Sequence, residues 1–223
     1  MSTQRVVSAG LLLLACTLPG HAVAVTTVHG VIQPINADRD AARDDLPIMR
    51  IAFRVTAPTT VVFDTLVTER PAVDLNGDGR ITGFNALARL LRGPAGTQVA
   101  SNNDRAVGSA LNQDGSTSNQ DPAFSYNFTA ARLGDYVLAL GQNTFTVAQA
   151  RAGFRLNQAL VSTAPNVPNR TTSWAAWQLQ LRSSNATALS GITVLNPVPE
   201  PGLIGLALVG VGAWFLRRRR QLA

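Results

Sequence analysis

The chain has 223 residues, 46% of them hydrophobic and 14% charged, with 19 basic against 13 acidic side chains and a formal net charge of +6. That surplus does not point to nucleic acid: there is no lysine, five arginines (Arg5, Arg217, Arg218, Arg219 and Arg220) lie near the two ends, and residues 25–200 hold 14 arginines against 13 acids, a net of +1 with no basic run. Cys16 is the single cysteine, which excludes a disulfide framework and a His/Cys zinc site in the body of the chain.

The first element is an address. Arg5 gives a positive start, residues 6–15 an apolar centre too short to span a bilayer, and His21-Ala22-Val23-Ala24 an A-x-A ending. Residues 1–24 read as a secretory signal peptide cut after Ala24, which implies Sec-type export. A second reading stands beside it: Leu13-Leu14-Ala15-Cys16 is similar to a lipoprotein box, with Cys16 as the lipidated new N-terminus. The intact mass of the exported chain separates the two. Either cut removes material before residue 25, and after a cut at Ala24 His29 is the only histidine. Residues 25–196 suffice for one domain with an apolar core and no covalent staple.

Residues 25–31 are apolar and β-branched and predict a strand. Residues 36–45 are polar and charged and predict a loop or short helical turn. Residues 48–55 alternate around Arg50 and Arg54, offering Ile51 and Phe53 to one face. Residues 59–64 read as a buried strand. Residues 84–91 fit a helix or a strand by pattern alone. A turn at residues 93–96 precedes an extended segment at 98–101. Residues 106–121 are rich in Ser, Asn, Gln, Gly and Asp and predict a long exposed loop. Phe124-Ser125-Tyr126-Asn127-Phe128 alternates aromatic with polar, as does a strand with one buried face. Strands are also expected at 136–140, at 174–181 with Trp177, Leu179 and Leu181 on one face, and at 189–195. Short strands between turn signals predict an all-β, antiparallel β-sandwich.

The chemically pointed stretch is residues 74–85. Asp74, Asn76 and Asp78 put oxygens at positions 1, 3 and 5 of a calcium loop, with the Arg80 carbonyl at 7, Thr82 at 9 and Asn85 at 12. Gly79 supplies the sharp turn at position 6. Calcium requires six to eight oxygens, and alternate acids and amides on a tight turn provide them. Asn85 replaces the bidentate glutamate of that loop, so affinity in the weak extracellular range, about 10⁻⁴–10⁻³ M, is expected. The competing reading is a pair of Asn-Gly and Asp-Gly turns that bind nothing. Asn102, Asn103, Asp104 and Asp121 form a second candidate cation cluster, with Asx-turns as the alternative.

Gly83-Phe84-Asn85, Gly93-Pro94-Ala95-Gly96, Ala100-Ser101-Asn102-Asn103-Asp104, Asp121-Pro122 and Gly134-Asp135-Tyr136-Val137-Leu138 together resemble the bacterial pre-peptidase C-terminal-like (PPC-like) β-sandwich. The resemblance covers residues 48–145 and implies that 84–91 is a strand. Asn85 and Asn103 stand where that family often has aspartate, and 74–82 resembles an insertion.

Catalytic signals are thin. No G-x-S-x-G is present, and any triad would depend on His29. Trp174 and Trp177 offer rings for sugar stacking, but three residues apart on a strand they face opposite sides, so at least one of them is expected in the core.

The chain closes on Pro199-Glu200-Pro201, an uncharged run at 202–216 and four arginines (Arg217 to Arg220). As a helix the run is about 22 Å long, short of a ~30 Å hydrocarbon core. The order of these features over residues 197–223 resembles a PEP-CTERM sorting signal. That resemblance implies membrane insertion through 202–216, recognition of Pro-Glu-Pro by an exosortase, and delivery to the surface or matrix of a Gram-negative bacterium that makes exopolysaccharide. The expected function is a non-enzymatic structural or adhesive role outside the cytoplasm. A calcium-assisted carbohydrate-binding module is the alternative, and a secreted hydrolase the third reading.

Overall fold

The computed structural model describes residues 12–16, 23–38, 44–69, 73–93, 96–105, 118–163, 170–172 and 174–195. In chain order they form β1 (Leu12–Cys16), β2 (Val23–Ile32), β3 (Leu46–Pro47), β4 (Met49–Val55), β5 (Thr59–Leu66), β6 (Ala86–Arg92) and β7 (Thr97–Asn102). There follow β8 (Ala123–Phe128), β9 (Gly134–Gln142), α1 (Val147–Ala152), β10 (Phe154–Arg155), β11 (Leu160–Ser162), β12 (Arg170–Thr172), β13 (Ala175–Ser183) and β14 (Leu189–Leu195). The chain is all-β and every strand pairing is antiparallel.

Two five-stranded sheets carry the fold, one in the order β1-β2-β13-β5-β8 and the other β14-β4-β9-β6-β7. Period-2 patterning assigns their faces. In β4, Met49, Ile51, Phe53 and Val55 are buried while Arg54 is exposed. In β8, Phe124 and Phe128 are buried while Ser125 and Asn127 are exposed. In β13, Trp177, Leu179 and Leu181 enter the core. The two inward faces meet through aromatic rings. Phe53 of β4 lies 5.8 Å from Phe63 of β5, and Tyr136 of β9 lies 4.9 Å from Phe128 of β8 in an edge-on contact.

The second sheet is covered on its outer side too. Ile48, Leu87, Leu91 and Ala139 join Phe145 and Ala150, from the segment around α1, in a smaller apolar cluster. Burial on both sides explains why 84–91 lacks a clean period: it is the strand β6, close to an inner position of its sheet. The helix α1 was not among the expected elements. Thr146 and Gln149 form a reciprocal capping box at its start, and Gly153, at φ 89°, ends it in the left-handed conformation.

Three further expectations meet the structure here. Asp121, placed by the sequence at the end of an exposed loop, is fully buried, because its carboxylate accepts the Val67 amide at 2.9 Å beyond the end of β5. Residues 106–117 of that loop lie outside the described residues, as does the whole segment 196–223 with its expected helix. Part of the expected leader centre forms β1, which lies along β2 in the register Leu12↔Thr27 to Cys16↔Val23. Among the described residues, no helix is long and apolar enough to cross a membrane.

Candidate functional site

The loop at residues 73–85 leaves and rejoins the fold at one narrow neck. Thr68 bridges Gly83, the Glu69 amide donates to the Thr82 carbonyl at 2.8 Å, and the Phe84 amide donates to the Val67 carbonyl at 3.3 Å. Glu69 is fully buried at this neck. One carboxylate oxygen accepts the Leu75 amide at 2.8 Å; the other accepts the Thr82 amide at 2.8 Å and the Thr82 hydroxyl. The Thr82 hydroxyl oxygen in turn accepts the Ala176 amide at 3.0 Å, which ties the neck to β13. A buried carboxylate is tolerated only when such donors replace its water.

Above the neck the loop wraps around Asp74. Its Oδ1 accepts the amides of Asn76 at 3.2 Å and Gly77 at 2.6 Å, and its Oδ2 accepts that of Gly79 at 2.7 Å. Asn76 Oδ1 accepts the Asp78 amide at 3.3 Å, and Asp78 Oδ1 accepts the Arg80 amide at 2.9 Å. Gly77 at φ +71° and Gly79 at φ +76° make the reversals, a conformation that side-chain-bearing residues rarely adopt. The Gly79 amide above all, with those of Gly77 and Asn76, holds the Asp74 carboxyl below its ordinary range against a smaller opposing desolvation. A lowered folded-state pKa gives stabilisation that is present above the unfolded value, about 3.9, and is lost as pH falls through the folded one. The amides of Asn76, Gly77 and Gly79 are therefore expected to keep their NMR shifts from neutral pH to about 4 and to move only below it.

As calcium ligands these residues fit in part. Asp74, Asn76 and Asp78 are gathered on one tight turn, and a carboxylate with about four acceptor sites keeps capacity beyond the three amides on Asp74. The backbone of Arg80 follows directly. Thr82 is committed to Glu69 and Ala176. Asn85 stands one residue before β6 on extended chain, not on the exiting helix of an EF-hand, and its carbonyl accepts the Asn143 amide at 2.8 Å. A bound calcium would add charge compensation and stiffness to the loop. Among the described residues no three His, Cys, Asp or Glu side chains form a metal-binding group.

Glu69 is the residue the sequence reading missed. It lies outside the 74–85 motif, and its partners are 6 and 13 positions away. Glu69→Gln keeps the shape but turns an amide donor toward donors. It is expected to cost about 1–3 kcal/mol in chemical denaturation and to speed hydrogen exchange at Leu75 and Thr82.

The other candidates disperse. Asn102 ends β7, Asp104 is exposed, and Asp121 supports β5. Arg105, next to Asp104, is buried with its Nη1 2.9 Å from Asp64 Oδ1, and Arg182 Nη2 lies 3.3 Å from Asp64 Oδ2. Trp177 is 1% exposed, so of the two tryptophans this is the one in the core, and a ring enclosed there cannot stack on a ligand. Trp174 is half-buried just before β13. His29 is half-buried opposite Gln178. Ala24 lies in β2 opposite Ser183. Pro199, Glu200, Pro201 and Arg217 to Arg220 lie outside the described residues. No family model, no curated protein and no solved structure matches the chain.

Proposed function

We propose that this is an exported, non-enzymatic protein of the cell surface or exopolysaccharide matrix, a PPC-like β-sandwich delivered through a PEP-CTERM signal. The signal peptide, the Pro-Glu-Pro stretch with its apolar run and the terminal arginines support the sorting part. The two sheets, whose aromatic residues meet across one core, support the sandwich architecture. In this reading the precursor passes through the Sec machinery, is held in the inner membrane by residues 202–216 and is released by an exosortase. The role is structural or adhesive.

The observation that carries the extracellular reading furthest is the loop around Asp74. Asp74, Asn76 and Asp78 would hold calcium, with the Arg80 carbonyl and water completing the shell, and the loop would stiffen on the buried Glu69. Fractionation with intact-mass measurement tests the sorting: a full-length, uncut, soluble chain in the cytoplasm overturns it. Calorimetry tests the cation. Calcium is expected to bind with Kd about 10⁻⁴–10⁻³ M and to raise the melting temperature. No heat and no shift up to about 10 mM, ten times the weak end of that range, overturns that part.

A further inference from the structure

Charge is unevenly divided between the two large sheets. The sheet β14-β4-β9-β6-β7 carries Arg50, Arg54, Arg89 and Arg92 against a single acid, Asp135. Arg50, Arg54 and Arg89 point away from the core, since their neighbours Ile51, Phe53, Val55 and Leu90 are buried in it. Register aligns Arg50 and Arg89 on either side of Ala139, two strand spacings or about 10 Å apart. The end of α1 adds Arg151 to the same face: Arg50 Nη1 donates to the Arg151 carbonyl at 2.7 Å, and Arg151 Nε donates to the Gly96 carbonyl at 3.3 Å.

These cations are held in place but not neutralised. Arg89 donates to the Phe145 carbonyl from Nε at 3.0 Å and Nη2 at 2.8 Å, and to Gln98, while its guanidinium lies 5.4 Å from the Phe145 ring. A carbonyl orients a guanidinium without cancelling its charge. Among the described residues, only Arg54 of the four meets a carboxylate, Asp135 at 3.4 Å, in a pair 61% and 68% exposed. Such a solvated pair is worth little and exchanges partners readily. The result is a set of oriented guanidinium groups at the margin of the cluster under Phe145, Arg54 and Arg151 exposed and Arg50 and Arg89 half-buried, on a molecule whose body is nearly neutral.

We infer that this face binds an acidic polysaccharide, a polymer with carboxylates repeated along its length, through Arg50, Arg54, Arg89 and Arg151. The inference rests on the extracellular reading for the kind of polyanion encountered. The chemistry of the face agrees: fixed guanidinium forks match carboxylates, and Phe53, Phe63, Phe128 and Tyr136 are buried where none can stack on a base.

The test uses the purified full chain on immobilised polygalacturonate, with neutral dextran and duplex DNA as comparison surfaces. Arg54→Gln/Arg151→Gln is the variant, because both side chains are exposed and give up little: Arg54 a solvated pair with Asp135, Arg151 one hydrogen bond to the Gly96 carbonyl. The wild type is expected to bind polygalacturonate and not dextran, and to weaken steadily between about 50 and 200 mM salt. The double variant is expected to bind about 4- to 25-fold more weakly, two- to fivefold for each exposed charge, with an unchanged melting temperature. Absence of binding at low salt, equal retention on dextran, preference for DNA, or a variant as strong as the wild type overturns the inference. Localisation is measured separately, by fractionation and intact mass on the cells that make the chain. A chain that is exported and trimmed but does not bind sinks this surface and leaves the sorting reading standing. A chain that binds but stays uncut in the cytoplasm supports the surface and sinks the sorting reading.

Discussion

Asp64→Ala is expected to destabilise the protein by about 3–5 kcal/mol, because it leaves two guanidinium groups buried without their shared counterion. Asp64 has no exposed side-chain surface, and the side chains of Arg105 and Arg182 are 2% and 8% exposed. In water each cation would be well solvated; here their charge is answered by the carboxylate at 2.9 and 3.3 Å. The loss is a large share of the 5–15 kcal/mol typical of a domain. Urea denaturation should show a midpoint lower by about 2 M for a slope near 2 kcal/mol/M, the slope itself unchanged. Arg105→Met in the same chain should recover part of the loss, since one of the two buried guanidinium groups that shared Asp64 is then gone. A drop below about 1 kcal/mol for Asp64→Ala, the value of an exposed pair, would show that water reaches this cluster.

Trp177→Ala is expected to cost about 3–5 kcal/mol by a different route, the cavity left by a large ring. Trp177 is 1% exposed, and its indole packs against Gly30 of β2, where an added Cβ would come within 3.0 Å of the ring. The register pairs the two residues directly, Trp177↔Gly30, so the glycine makes room for the ring. Among the described residues the indole N–H has no hydrogen-bond partner, so the loss is one of packing and apolar burial. Trp177→Phe should cost less, because a smaller cavity remains. The diagnostic is the comparison with Trp174→Ala: a half-buried residue outside β13 should change the denaturation midpoint far less. Equal effects would contradict the assignment of Trp177 to the core.

How much of this the sequence disclosed depended on how many sides of each strand are covered. β4 was legible because one face is solvated, and its arginines alternate with buried apolar residues. β6 was not, because Leu87 and Leu91 pack under Phe145 while Ala86, Ala88 and Leu90 face the main core, and the period vanishes. The helix α1 had a readable signal, the Thr146-x-x-Gln149 capping pattern, in a segment too short to display a helical stripe. The Asp74 loop was readable because its turns are local, each Asx side chain bonding amides two to five residues ahead. Glu69 was hidden because what it binds is backbone, and backbone amides carry no letter in the sequence. Asp64 had a partial signal: an acid closing the run Thr-Thr-Val-Val-Phe-Asp implies a cation in the interior, but nothing local names Arg105 or Arg182 as that cation.

Strand β2 is paired over nine residues with β13 on one side and over five with β1 on the other. If trimming follows Ala24, the second neighbour departs with the leader, together with Val23 and Ala24 from β2 itself. The released product would then carry an open margin of amide and carbonyl groups that the precursor keeps closed. Maturation would make this molecule less self-contained than the chain it came from, and the share that stays monodisperse would fall as concentration rises.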